Sequence, residues 1–120
     1  MPWTMNAVAQ RATVESLNDN AYIQKSIKYI TESRSALCAE LKSISSLAVF
    51  KSNVNYLLLK IQPSSRINAL ELSEKLLAKG LLIRTCEDFQ GLDEMFFRVA
   101  VKKKNENKKL VTELKKILAK

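Results

Sequence analysis

Two arginines, Arg84 and Arg98, stand in the stretch GLLIRTCEDFQGLDEMFFRVAV (residues 80–101), where a purely structural strand has no use for them. Read with a period of two, Leu81, Ile83 and Thr85 fall on one face, and Leu82, Arg84 and Cys86 on the other. Further on, Met95, Phe97, Val99 and Val101 oppose Phe96, Arg98 and Ala100. An antiparallel pair folded about Gly91 sets Arg84 opposite Arg98, with both guanidiniums on one face. Like charges opposed across strands repel, so the pair is easiest to understand with an anion between or beside them. A planar guanidinium holds a carboxylate or a phosphate through two parallel hydrogen bonds, which a lysine does not imitate. The competing reading for each arginine is a salt bridge to Glu87, Asp88, Asp93 or Glu94.

Other chemistry is limited by composition. The 120 residues include no histidine, which removes Ser-His and Cys-His nucleophilic catalysis and most zinc sites, so no metal is expected. Cys38 and Cys86 are too few for a disulfide framework and read as reduced thiols. The net charge of +8 comes largely from Lys102, Lys103, Lys104, Lys108, Lys109, Lys115, Lys116 and Lys120. Such a cluster fits a basic module for nucleic acid, a membrane surface or a protein partner, or else the solvated face of a terminal helix. No aromatic residue is interleaved to stack a base, so the solvated face is preferred, with neither nucleic acid nor membrane as partner. No run of 18 apolar residues occurs and the N-terminus lacks the layout of a signal peptide, which makes the cytoplasm the expected location.

The elements that must hold the arginines follow from periodicity. Pro2 to Leu17 turns helical through Ala7, Val8, Arg11, Val14 and Leu17, and Asn18, Asp19 and Asn20 break or recap it. A second helix, Asn20 to Ser43, carries the stripe Ile23, Ile27, Ile30, Leu37, Leu41 and Ile44. Ser43, Ser45 and Ser46 end it, and strands follow at Leu47–Phe50 and Val54–Ile61 about a turn at Lys51–Asn53. In the second strand Leu57, Leu59 and Ile61 share one face and Tyr56, Leu58 and Lys60 the other, which is expected near a partner surface. After Pro63–Ser65, a helix from Asn68 to Lys79 has a capping box in Asn68 and Glu71, a C-cap in Gly80, and a buried side in Leu70, Leu72, Leu76 and Leu77. The two arginine strands come next, with Phe89 and Leu92 packing in their loop. A last helix from Asn105 to Ala119 buries Leu110, Val111, Leu114, Ile117 and Leu118. The order α-α-β-β-α-β-β-α predicts an α+β fold, a small, mostly antiparallel sheet of about four strands covered on one face by helices.

The run IRTCEDFQGLDEMFFRVAV, followed by Lys102 to Lys120, resembles the C-terminal end of the pyridoxal-phosphate (PLP) enzymes of the class I/II aminotransferase family. Within that family it most resembles the branch of threonine-phosphate decarboxylase and histidinol-phosphate aminotransferase. The opening PWTMNAVAQ is similar to a segment that follows the cofactor-binding core in the decarboxylase branch, so the resemblance covers essentially the whole chain. It implies that residues 1–120 form the small domain of a fold-type I enzyme whose large PLP-binding domain is a missing partner, with Trp3 packing at the hinge. It further implies that Arg98 pairs with the substrate carboxylate and that Arg84 helps bind the phosphorylated amino acid or amine. The implied activity is decarboxylation of L-threonine O-3-phosphate, a step of cobalamin biosynthesis. Histidinol-phosphate aminotransferase, or another class I/II aminotransferase, is the alternative. PLP would belong to the complete enzyme: no lysine here lies in the family's Ser-x-x-Lys segment, and Gly80 and Gly91 make no phosphate-cradling loop. The chain is therefore expected to be inactive by itself. Separation from the large domain would uncover Ile23, Ile27 and Ile30, and bare apolar patches favour a homodimer.

Overall fold

A computed structural model describes residues 6–118. Helices α1 (Ala7–Asn18) and α2 (Asn20–Lys42) lead into strands β1 (Leu47–Val49) and β2 (Tyr56–Ile61). A 3₁₀ turn at Pro63–Ser65, helix α3 (Ala69–Leu77), strands β3 (Arg84–Thr85) and β4 (Phe96–Ala100), and helix α4 (Lys104–Leu118) complete the chain. The sheet runs β1-β2-β4-β3 with every neighbouring pair antiparallel, as the sequence pattern predicts. Trp3 and Ala119 lie outside the described residues.

Alternation along the strands separates two sheet faces. Leu57, Leu59, Ile61, Phe97 and Val99 are buried on one, against Leu37 and Leu41 of α2, Leu72 and Leu76 of α3, and Leu110, Val111 and Leu114 of α4. The other carries Phe50, Tyr56, Leu58, Lys60, Phe96, Arg98 and Arg84, none of them buried. The buried face holds the sheet rigid, and the open face is what it presents.

Local signals act where the sequence places them. Asp19 caps α2 by accepting the Tyr22 N–H at 2.9 Å. Asn68 accepts the Glu71 N–H at 2.9 Å while Glu71 accepts the Asn68 N–H at 3.3 Å, the reciprocal bonds of a capping box. Gly80, at φ 70°, closes α3: its N–H donates to the Leu77 carbonyl and that of Leu81 to the Leu76 carbonyl.

Three expectations are corrected. Leu70 and Leu77 are exposed; the buried stripe of α3 is Ala69, Leu72 and Leu76, and each exposed leucine follows a buried residue by one position, about 100° around the helix. The first arginine strand is only Arg84–Thr85, because Leu81 is still bonded to the helix end and the ladder starts later. Cys86, assigned to the arginine face by alternation, is 1% exposed, since the strand ends one residue before it.

Helix α1 buries no residue, and in the first half of α2 Ile27 is exposed while Ile23 and Ile30 are half-buried. The radius of gyration, 17.3 Å, exceeds the ~13.6 Å of a compact chain of this length. The last three stripe residues, Leu37, Leu41 and Ile44, lie in the core and anchor the end of α2 to the sheet, and Arg34 donates to the Val54 carbonyl at 3.1 Å; the first half of α2 buries no residue. Among the described residues no helix is long and apolar enough to cross a membrane.

Candidate functional site

Arg84 and Arg98 are a paired position of the β3–β4 ladder, in the register expected from a fold about Gly91, which adopts φ 86°. The loop between them is built from successive tight turns: Phe89 N–H to the Cys86 carbonyl, Leu92 N–H to that of Phe89, and Phe96 N–H to that of Asp93. Arg98 is also paired with Leu58 of β2, so it stands on an interior strand of the sheet, whereas Arg84 stands at its edge.

The two guanidiniums are held differently. That of Arg98 lies over the Tyr56 ring, 4.4 Å from its centre, and among the described residues no carboxylate pairs with it. Arg84 forms an ion pair with Asp88, one of the four acids the sequence offered. Both arginines approach the ring of Phe89, at 5.9 and 5.8 Å, so Phe89, expected only to pack, borders the site. A depression of about 460 Å³ opens here, lined by Asn55, Tyr56, Leu82, Arg84, Arg98 and Ala100 among others.

Neighbouring groups close the rest of the face. Lys60 pairs with Asp93 at 3.2 Å and lies 4.7 Å from the centre of the Phe96 ring, which stacks on Phe50 at 5.8 Å. The Asp93 carboxyl is held below its ordinary range, first by the Met95 N–H and then by Lys60. Burial pushes the Cys86 thiol up, while Arg98 and Arg84 pull it down and Asp88 pushes it up again.

Tyr56 is the site residue that sequence reasoning placed on the right face without a role. The available signal was its position on β2, two residues before Leu58, which the ladder sets against Arg98. The terminal lysines are elsewhere: Lys102, just before α4, pairs with Glu106 at 3.5 Å, and Lys116 on α4 pairs with Glu113 at 2.6 Å. Among the described residues no group of three side chains could hold a metal ion.

An open sheet face with two opposed arginines, one stacked on a tyrosine and free of carboxylates, can receive a small anion. Comparison with known proteins agrees with that architecture. A histidinol-phosphate aminotransferase structure from Clostridium acetobutylicum superposes with a TM-score of 0.88 at 32% identity, covering 99% of this chain and 35% of that one. A provisionally named threonine-phosphate decarboxylase of Caldanaerobacter subterraneus subsp. tengcongensis is 38% identical over 95% of this chain and 30% of its own length. The histidinol-phosphate aminotransferase of Methanothermobacter thermautotrophicus is 37% identical over 91% of this chain and 29% of its own. The chain thus spans about a third of the length of the curated relatives it matches. The sequence profile of aminotransferase class I and II matches residues 1–114, and the chain belongs to that family.

Proposed function

We propose that this chain is the substrate-gripping small domain of a PLP-dependent L-threonine-O-3-phosphate decarboxylase, in which Arg98 receives the substrate carboxylate and Arg84 its phosphate. The observation that carries this reading is the Arg84–Arg98 pair on an open face, with Arg98 unclaimed by any described carboxylate. Arg98 is half-buried, flanked by Phe97 and Val99 and stacked on Tyr56, so its fork is aimed before an anion arrives. A substrate with a carboxylate at one end and a phosphate at the other matches two such forks better than two lysines would.

PLP supplies the electron sink for loss of carbon dioxide or amino transfer in enzymes of this family. The described residues do not fit a complete seat for it. Lys60, the lysine on the open face, is engaged with Asp93, and Gly80 and Gly91 lie in separate turns rather than in one phosphate-cradling loop. No chemical step is therefore assigned to the cofactor within this chain, and its residues act by binding and orienting.

Histidinol-phosphate aminotransferase is the second reading, favoured by the names of two of the relatives above. In the complete enzyme, Arg98→Ala should cost on the order of 2 to 5 kcal/mol in transition-state binding. Unchanged turnover in that variant would show that the carboxylate is held elsewhere. Release of carbon dioxide from phosphothreonine, against amino transfer from histidinol phosphate, separates the two branches.

A further inference from the structure

We propose that Asp88 is a built-in competitor for the anion at Arg84, so that a phosphoryl group enters this side of the pocket only by displacing a carboxylate the chain itself supplies. The inference rests on the reading that Arg84 takes phosphate and Arg98 the carboxylate.

The two arginines share one face and one ladder position, yet among the described residues only Arg84 has a carboxylate counterion. Asp88 reaches Arg84 because the turn closed by the Phe89 N–H and the Cys86 carbonyl, at 3.1 Å, folds the loop back over the strand end. Both partners remain accessible, with side chains 54% and 57% exposed, so the contact can exchange for an incoming anion rather than lock the site. Phe89, next in the chain, contacts both guanidiniums and fixes where the loop lies relative to the pair.

The competitor sets a threshold for the incoming ligand. A phosphate dianion offers three strong acceptor oxygens to a forked donor and outcompetes a single carboxylate. A monocarboxylate or a halide gains nothing by exchanging with Asp88 and is left to Arg98. Asp88 thereby assigns the two ends of the substrate: phosphate to the guarded arginine, carboxylate to the open one. It also relieves the repulsion between the two cations in the empty pocket.

The test uses the 120-residue chain, titrated with inorganic phosphate and separately with acetate, and followed by the arginine Nε–H resonances at low ionic strength. Asp88→Asn should tighten phosphate at the Arg84 resonance about threefold to tenfold and admit acetate there, while moving acetate at the Arg98 resonance less than about twofold. Asp88→Ala should do the same, and in an Arg84→Gln background neither change should gain anything. Equal phosphate affinity in the parent chain and both variants would overturn the inference and leave the arginine pair as an anion site. Equal gains for phosphate at Arg84 and for acetate at Arg98 would also overturn it, as the mark of a general charge effect. If neither parent nor variants bind phosphate, the assignment of Arg84 falls, and the role of Asp88 with it.

Discussion

The Arg98 guanidinium lies 4.4 Å from the centre of the Tyr56 ring, while Arg84, its cross-strand partner, pairs with Asp88, four residues along the chain. Opposed arginines in a ladder are destabilising unless something absorbs their charge. The chain answers for the edge arginine with Asp88 and for the central one with an aromatic face. The asymmetry follows position: an edge strand can borrow a loop carboxylate, whereas Arg98 is bounded by Leu58 on one side and Arg84 on the other.

Removing the ring should therefore be felt at Arg98. A cation over an aromatic face contributes about 0.5 to 1 kcal/mol at an exposed site. Tyr56→Leu is expected to weaken acetate binding roughly two- to fivefold, and Tyr56→Phe to keep it, because the ring rather than the hydroxyl meets the guanidinium. Acetate titrations of both variants check this; equal weakening in the two would transfer the role to the hydroxyl.

The two sides of the sheet and of α3 make a sharper contrast in stability. Phe97 is 0% exposed at the centre of the core, and Phe97→Ala should cost about 3 to 5 kcal/mol. Leu72→Ala should cost about 2 to 5 kcal/mol by the same cavity argument. Leu77→Ala, at a residue 59% exposed, should stay within about 0.5 kcal/mol. Urea unfolding of the three variants measures the differences, and a Leu77 cost comparable to that of Leu72 would contradict the observed face of α3.

The sheet was legible because its signals are local and periodic. Gly91 marks the turn, strict alternation marks the faces, and together they determine that Arg84 meets Arg98. Helix limits were legible for the same reason, through Asp19, Asn68 and Gly80. What alternation did not carry was where a strand stops: one residue past Thr85 the parity rule fails and Cys86 turns inward. The α3 stripe was ambiguous because leucines at 70 and 77 obey the same seven-residue spacing as the buried positions 69 and 76. The approach of Tyr56 to Arg98 joins residues far apart in the chain, and only the β2–β4 register, which periodicity does not supply, brings them together.

Asn107 illustrates a buried polar residue whose purpose appears only in three dimensions. Its Oδ1 accepts the Lys102 N–H and its Nδ2 donates to the Lys102 carbonyl, each at 2.9 Å, which fixes the exit of β4 against the first turn of α4. Asn107→Ala leaves both backbone groups without that partner and should cost about 1 to 3 kcal/mol. Asn107→Asp keeps the acceptor but loses the donor, and should not restore stability. Thermal melts of the two variants decide it.

The pH dependence of stability should have two flanks of opposite sign. Asp93 and Glu113 are held below their ordinary range, by the Met95 N–H with Lys60 and by Lys116 respectively. Their contributions are present above the unfolded carboxylate value and disappear as pH falls through the lower folded one. Cys86 runs the other way. Burial raises its thiol above the ordinary value of 9.0, so the native state favours the protonated form. That contribution is complete below the unfolded value and is lost as pH rises through the folded one. Cys86→Ala should therefore flatten the alkaline flank and leave the acid flank unchanged in denaturant melts across the pH range. Alkylation offers an independent check: half-buried Cys38 should react well before Cys86, and the order should vanish in denaturant. An alkaline flank that survives Cys86→Ala would place its origin in another group.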